Sequence, residues 1–104
     1  MKYPVNLSVE ASKDINGIYE YIAVALGEKE IAVNMINLLE KNILSFDEMP
    51  GRYKLYWNEP WKSRGLHIMT VKKYLVFYTV DDNTKSVNII RVIYSSRDID
   101  DVLN

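Results

Sequence analysis

The period of apolar positions changes several times along this chain, and each change marks an element. Tyr3, Val5 and Leu7 alternate with Pro4 and Asn6, the two-residue period of a strand, and the early proline suits an edge or a strand start. Ser8 then offers a helix N-cap, and Ala11, Ile15, Ile18, Tyr19, Ile22 and Leu26 recur at helical spacing up to Gly27. A helix over 9–26 is predicted, with the glycine as its stop. A second helical stripe runs through Ile31, Met35, Leu38, Leu39, Ile43 and Phe46 and ends before Pro50-Gly51. So short a connection folds the two helices into an antiparallel hairpin.

From Met49 to Pro60 there is no clean period, only two prolines, a glycine and the aromatics Tyr53, Tyr56 and Trp57, which reads as a packed-down loop. Three strands follow, over 64–70, 73–80 and 86–94, with Asp81-Asp82-Asn83-Thr84 turning between the last two. Short connections make them an antiparallel meander. Ser96 is placed to cap a final short helix, with Asp98 in its first turn and Ile99, Val102 and Leu103 facing inward. The fold class is α+β: an N-terminal strand, a helical hairpin, a three-stranded antiparallel meander and a short C-terminal helix. Two helices cover one face of such a sheet, so the expectation is that the other face stays partly open and concave.

A chain of 104 residues, 48% of them hydrophobic, is expected to form one domain over 1–104, with one modest core. It has no cysteine and a single histidine, which argues against thiolate chemistry and against a zinc or haem site; no metal or cofactor is expected. No apolar run reaches the roughly twenty residues of a membrane helix, and the N-terminus lacks a signal-peptide core, so a cytoplasmic protein without membrane contact is expected.

The net charge of −1 conceals an asymmetry. Between Arg52 and Lys73, the cations Arg52, Lys54, Lys62, Arg64, Lys72 and Lys73 meet only Glu59. Such a strip suits an anionic partner, although charged strips are commonly just solvated faces. Arg64 and Arg91 lie among apolar neighbours, so each must reach an open face or pair with a carboxylate. His67, beside Arg64, has the unperturbed pKa for acid–base work near neutrality, though a lone histidine on a strand is more often structural. Tyr53, Tyr56, Trp57 and Trp61 fit stacking on unpaired bases, but such a cluster more commonly plugs a core beneath a loop.

Several of these segments together resemble a known family. They are Ile18-Tyr19-Glu20-Tyr21-Ile22-Ala23, the Met49-Pro50-Gly51 break, Tyr74-Leu75-Val76-Phe77-Tyr78-Thr79-Val80-Asp81, and Arg91-Val92-Ile93-Tyr94-Ser95-Ser96-Arg97-Asp98-Ile99. Over essentially the whole chain the pattern is similar to the RelE/ParE superfamily of bacterial toxins. The resemblance implies the toxin of a type II toxin–antitoxin module, neutralised by a cognate antitoxin that also carries any contact with operator DNA. It also implies a fork: a RelE-like branch cuts mRNA on the ribosome, and a ParE-like branch inhibits DNA gyrase by protein contact without nuclease activity.

The ribonuclease branch needs no metal, because the ribose 2′-OH attacks the adjacent phosphate while protein groups move protons and stabilise the phosphorane. By resemblance, Arg97 falls on the transition-state arginine. Around it the candidates are Tyr94 as a proton donor, His67, Arg64 and Arg91, with Lys62, Lys72, Lys73, Arg52 and Lys54 as RNA-binding groups. Two departures count against this branch: Leu103 stands where RelE has its catalytic tyrosine, and Leu75 where RelE has an arginine. The sequence-level reading favours the ribosome-associated endonuclease narrowly, with gyrase inhibition as the alternative and an inert module as a third. The branches differ in geometry: an RNA-cutting enzyme requires the arginines, His67 and Tyr94 to converge on one cationic concave site.

Overall fold

The computed structural model describes residues 4–45, 55–96 and 103. Among them, strand β1 (Val5–Leu7) leads through Ser8 into helix α1 (Val9–Glu20), a π-helical turn at Tyr21–Ala25 and helix α2 (Lys29–Leu44). Strands β2 (His67–Val71), β3 (Tyr74–Asp81) and β4 (Ser86–Tyr94) complete the order. The Ser8 side chain caps α1, accepting from the Ala11 N–H at 2.9 Å, and its hydroxyl donates to the Ile90 carbonyl, tying the helix start to β4. The predicted first helix therefore spans its expected length, but its last turn widens to i→i+5 spacing, with Leu26 N–H donating to the Tyr21 carbonyl. Gly27, at φ 68, then reverses the chain in a conformation that other residues adopt reluctantly.

The sheet runs β1-β4-β3-β2. The meander is antiparallel as expected, and β1 lies parallel to β4, Val5 opposite Val87 and Leu7 opposite Ile89. Beyond Leu7, the outer edge of β4 is flanked by α1 instead of a strand. Between Phe77 and Tyr78 the β3–β4 register slips, with Phe77 opposite Arg91 and Tyr78 opposite Ile89, so Ile90 is an extra residue and the strand is bulged beside Arg91.

The second strand begins three residues later than the 64–70 expected, because Arg64 and Gly65 close a turn: Gly65 N–H donates to Lys62 O and Leu66 N–H to Trp61 O. The short C-terminal helix lies outside the described residues except for Leu103.

Two cores form, one on each face of the sheet. On the helical face Ala11, Leu39 and Ile43 meet Met69, Val76, Tyr78, Val87 and Ile89. The other face is not open, which corrects the expectation from the sequence. Leu75, Phe77, Ile93 and Ile68 are buried there beneath Tyr56 and Leu66, with Trp61 and Leu103 packed around them. A non-repetitive segment supplies this cover. Tyr56 N–H donates to the Leu66 carbonyl at 2.7 Å, and Leu55 bridges to His67, so the segment is bound back against β2.

At the β3–β4 turn, the Asp81 carboxylate accepts from the N–H groups of Asn83 and Thr84. These bonds, the Thr84 one first, lower its pKa from the ordinary 3.8. A depressed folded value means that this turn contributes stability above the ordinary carboxylate range and loses it as pH falls through the depressed value. An acid titration followed by amide chemical shifts is expected to release the Asn83 and Thr84 signals only below the ordinary Asp midpoint; release at or above that midpoint would refute the capping role.

Candidate functional site

Of the residues proposed for RNA cleavage, the described ones, His67, Arg64, Arg91 and Tyr94, fall on different surfaces. His67 shares the helical face with Met69 and Val71, and its ring stacks on buried Tyr78 at 5.1 Å. Tyr94 lies at the other end of the sheet, opposite Tyr74, which is four residues along β3 from Tyr78. That separation alone is about 13 Å. Arg64 belongs to the opposite face, its guanidinium 5.1 Å above the ring of Trp61.

Arg91 is engaged by α1. Its Nε and Nη2 donate to the two oxygens of Asp14 at 2.7 and 2.9 Å, and the Val92 N–H donates to the same carboxylate at 3.0 Å. Of the two fates open to this arginine, pairing with a carboxylate is the one adopted. Donation to the Asp14 carboxylate raises its pKa, against an opposing effect of burial, so the charge is held firmly. Asp14 also satisfies a β4 edge donor where β1 has ended.

Lys72 and Lys73 form the β2–β3 turn, Lys72 at φ 55, and Lys62 is exposed beside Arg64. Arg97, Arg52 and Lys54 lie outside the described residues. Of the aromatic cluster, Tyr56 is buried as a core plug and Trp61 is packed against the same core, while Trp57 is exposed. Tyr53 lies outside the described residues.

What the fold does bring together is a groove of about 900 Å³ between α1, the π turn and the end of β4. Tyr21, Leu26 and Ile31 stand in its walls, each more than half exposed, and Tyr74, Val92 and Tyr94 form its sheet side. Tyr74 and Tyr94 meet edge to face at 5.6 Å. The Tyr74 phenol has its pKa raised by burial first, then by the neighbouring Tyr94 and Tyr21 hydroxyls, so three phenols gather at this end. Lys13, Lys73, Glu28 and Asp14 are the charged groups along it. Sequence reasoning found Tyr94 but missed the groove; an acidic residue at 14 beside an apolar helical stripe, and a strand arginine in need of a carboxylate, were the available signals. Among the described residues no cluster of metal-ligating side chains occurs, and no helix is long and apolar enough to cross a membrane.

A strand, a helical hairpin and an antiparallel meander packed on it define a type II toxin of the RelE/ParE superfamily. The chain belongs to the ParE toxin family of the type II toxin–antitoxin system parDE, whose model matches residues 5–99. Its fold is similar to that in the chromosomal ParDE system of P. aeruginosa (TM-score 0.72, 17% identity, 89% of this chain and 96% of that one). It is also similar to the RelBE2 toxin–antitoxin complex of Mycobacterium tuberculosis (0.62, 21%, 90% and 99%) and to a mutant of the E. coli toxin RelE in the free state (0.64, 17%, 92% and 86%). No curated protein matches by sequence.

Proposed function

We propose that this toxin arrests growth by occupying a protein target, with DNA gyrase as the first candidate, and that a cognate antitoxin restrains it. One observation carries this reading: the sheet face that a two-helix cover would leave open as a concave phosphate site is filled by Tyr56, Leu66, Phe77 and Ile93. A buried apolar surface has no room for a scissile phosphate and no donors to stabilise it. The separation of His67, Arg64, Arg91 and Tyr94 supports the same side of the fork, as does membership of the ParE family. The groove beside Tyr94 supplies what a protein contact needs, an exposed apolar surface with aromatic anchors and a polar rim. Antitoxin restraint is supported by similarity to chains solved in toxin–antitoxin complexes.

The test is induction of the toxin alone, followed by pulse labelling with thymidine and methionine and by mapping of mRNA ends. Thymidine incorporation is expected to fail first, with mRNA intact and gyrase supercoiling inhibited by the purified protein. Translation failing first, with mRNA fragments ending in ribosomal A sites, would overturn the proposal and restore the endonuclease reading. A general acid or base contributes roughly 10²- to 10⁴-fold to such a cleavage. The Arg64→Ala/His67→Ala double variant is therefore a second discriminator: it is expected to arrest growth as the wild type does, whereas loss of arrest in a folded double variant would return those two residues to a catalytic site.

A further inference from the structure

Among the described residues nothing gives Gly17 a steric reason to be glycine. It sits within α1, where glycine costs roughly 0.5–1 kcal/mol relative to alanine. Its backbone is ordinary helix, not left-handed, and a Cβ built on it would meet nothing within 4 Å among the described residues. At the π turn that follows, only the backbone carbonyl of Gly17 takes part, accepting from Tyr21 N–H as any residue's carbonyl does. Gly17 does line the groove, on one stripe with Lys13 and Tyr21 at four-residue spacing.

A bare patch of helix backbone on the wall of a groove permits an approach that any side chain would prevent. The groove also has a charge preference. The Asp14 carboxylate is committed to Arg91 and the Val92 N–H, which among the described residues leaves Lys13 and Lys73 against Glu28. The walls are mostly aliphatic, from Ile18, Ile22, Leu26 and Ile31, which suits apolar side chains better than stacked bases.

We infer that Gly17 is the contact point at which an apolar segment of the toxin's protein target, flanked by carboxylates, packs directly on the backbone of α1, with Lys13 and Lys73 receiving the carboxylates. This rests on the protein-contact reading above and adds to it a partner chemistry and a specificity-determining residue. A side chain at position 17 then acts as a wedge in the interface while leaving the toxin itself better folded.

The experiment compares wild type, Gly17→Ala, Gly17→Gln and Lys13→Glu/Lys73→Glu for thermal unfolding, growth arrest and inhibition of supercoiling by purified gyrase, with mRNA integrity followed in the same cells. Gly17→Ala is expected to raise Tm, by about 2–5 °C, as a helix-favouring change without a clash does. Its inhibition of gyrase is expected to weaken, and that of Gly17→Gln to weaken by roughly tenfold or more, each tenfold corresponding to about 1.4 kcal/mol. The charge-reversed variant is expected to lose inhibition in the same direction. Stabilised Gly17 variants that inhibit gyrase and arrest growth as the wild type does would overturn the inference while leaving the protein-contact reading intact. Wild-type protein that cleaves mRNA and leaves gyrase untouched would instead remove that reading, and the target contact at Gly17 with it.

Discussion

Phe77→Ala is expected to destabilise the protein by about 3–5 kcal/mol, the usual cost of emptying a fully buried aromatic site. Phe77 is completely buried, edge to face with Tyr56 at 5.7 Å, and it stands at the centre of the cluster that closes the second face of the sheet. Its removal takes away the ring on which the Tyr56–Leu66 cover rests, so the loss combines transfer of the ring with a cavity that a sheet on one side cannot collapse. For a domain of this size the shift is roughly 12 to 25 °C in Tm, a large part of a typical total stability of 5–15 kcal/mol. Phe77→Leu keeps most of the volume and is expected to cost about 1–2 kcal/mol. Urea unfolding of the three proteins checks this. A loss below about 1 kcal/mol for Phe77→Ala would mean that the second face is not closed, and it would remove the observation on which the proposed function stands.

Asp14→Ala ranks next, at about 2–4 kcal/mol, because it strands a cation and a strand N–H together. The Asp14 and Arg91 side chains are 14% and 23% exposed, so water repairs only part of the loss. Arg91 cannot escape by shedding its proton, since guanidinium remains charged throughout the accessible pH range. Asp14→Asn keeps an acceptor for the Val92 N–H and is expected to cost less than the alanine change. The double variant Asp14→Ala/Arg91→Ala should cost less than the two single changes combined, with a coupling of roughly 0.5–3 kcal/mol measurable by a double-mutant cycle. Strict additivity would mean that the pair seen in the structure does not hold α1 against β4. Asp14 also lines the groove beside Val92, so its loss is expected to disturb that surface as well as the fold.

Much of this fold is legible from periodicity. The 3.6-residue stripes in 9–26 and through Met35, Leu39 and Ile43 give both helices, and the Tyr-Val-Phe run gives β3, because burial of one stripe or face is a local requirement that each element states in its own residues. The widened turn at Tyr21–Ala25 leaves no such trace, since it changes hydrogen-bond spacing without changing which residues are apolar. The second core was legible only in part: the loop aromatics read as a core plug, but not which sheet face they would close. Tyr56, Leu66 and Trp61 come from a segment without a period, so their common destination on Leu75, Phe77 and Ile93 is not written in any spacing. The spread of His67, Arg64, Arg91 and Tyr94 over the fold was hidden for the same reason. His67, Arg64, Arg91 and Tyr94 are near one another in a list of suitable chemistries, but a strand rises about 3.3 Å per residue and alternates faces, which scatters them.

By itself, the sequence determined that this cysteine-free chain has an α+β fold built from a helical hairpin and a meander, because composition and hydrophobic period are local properties of the chain. Tertiary structure alone decided what each polar residue is for. It gave Arg91 to Asp14, 77 positions away, and set Arg64 on Trp61; it closed the face that the element count left open, and it exposed Gly17 beside Tyr21 and Tyr94. The physical reason is that a charge or a bare backbone patch acquires its role from what lies within a few ångströms, and those neighbours come from parts of the chain that no window along the sequence contains.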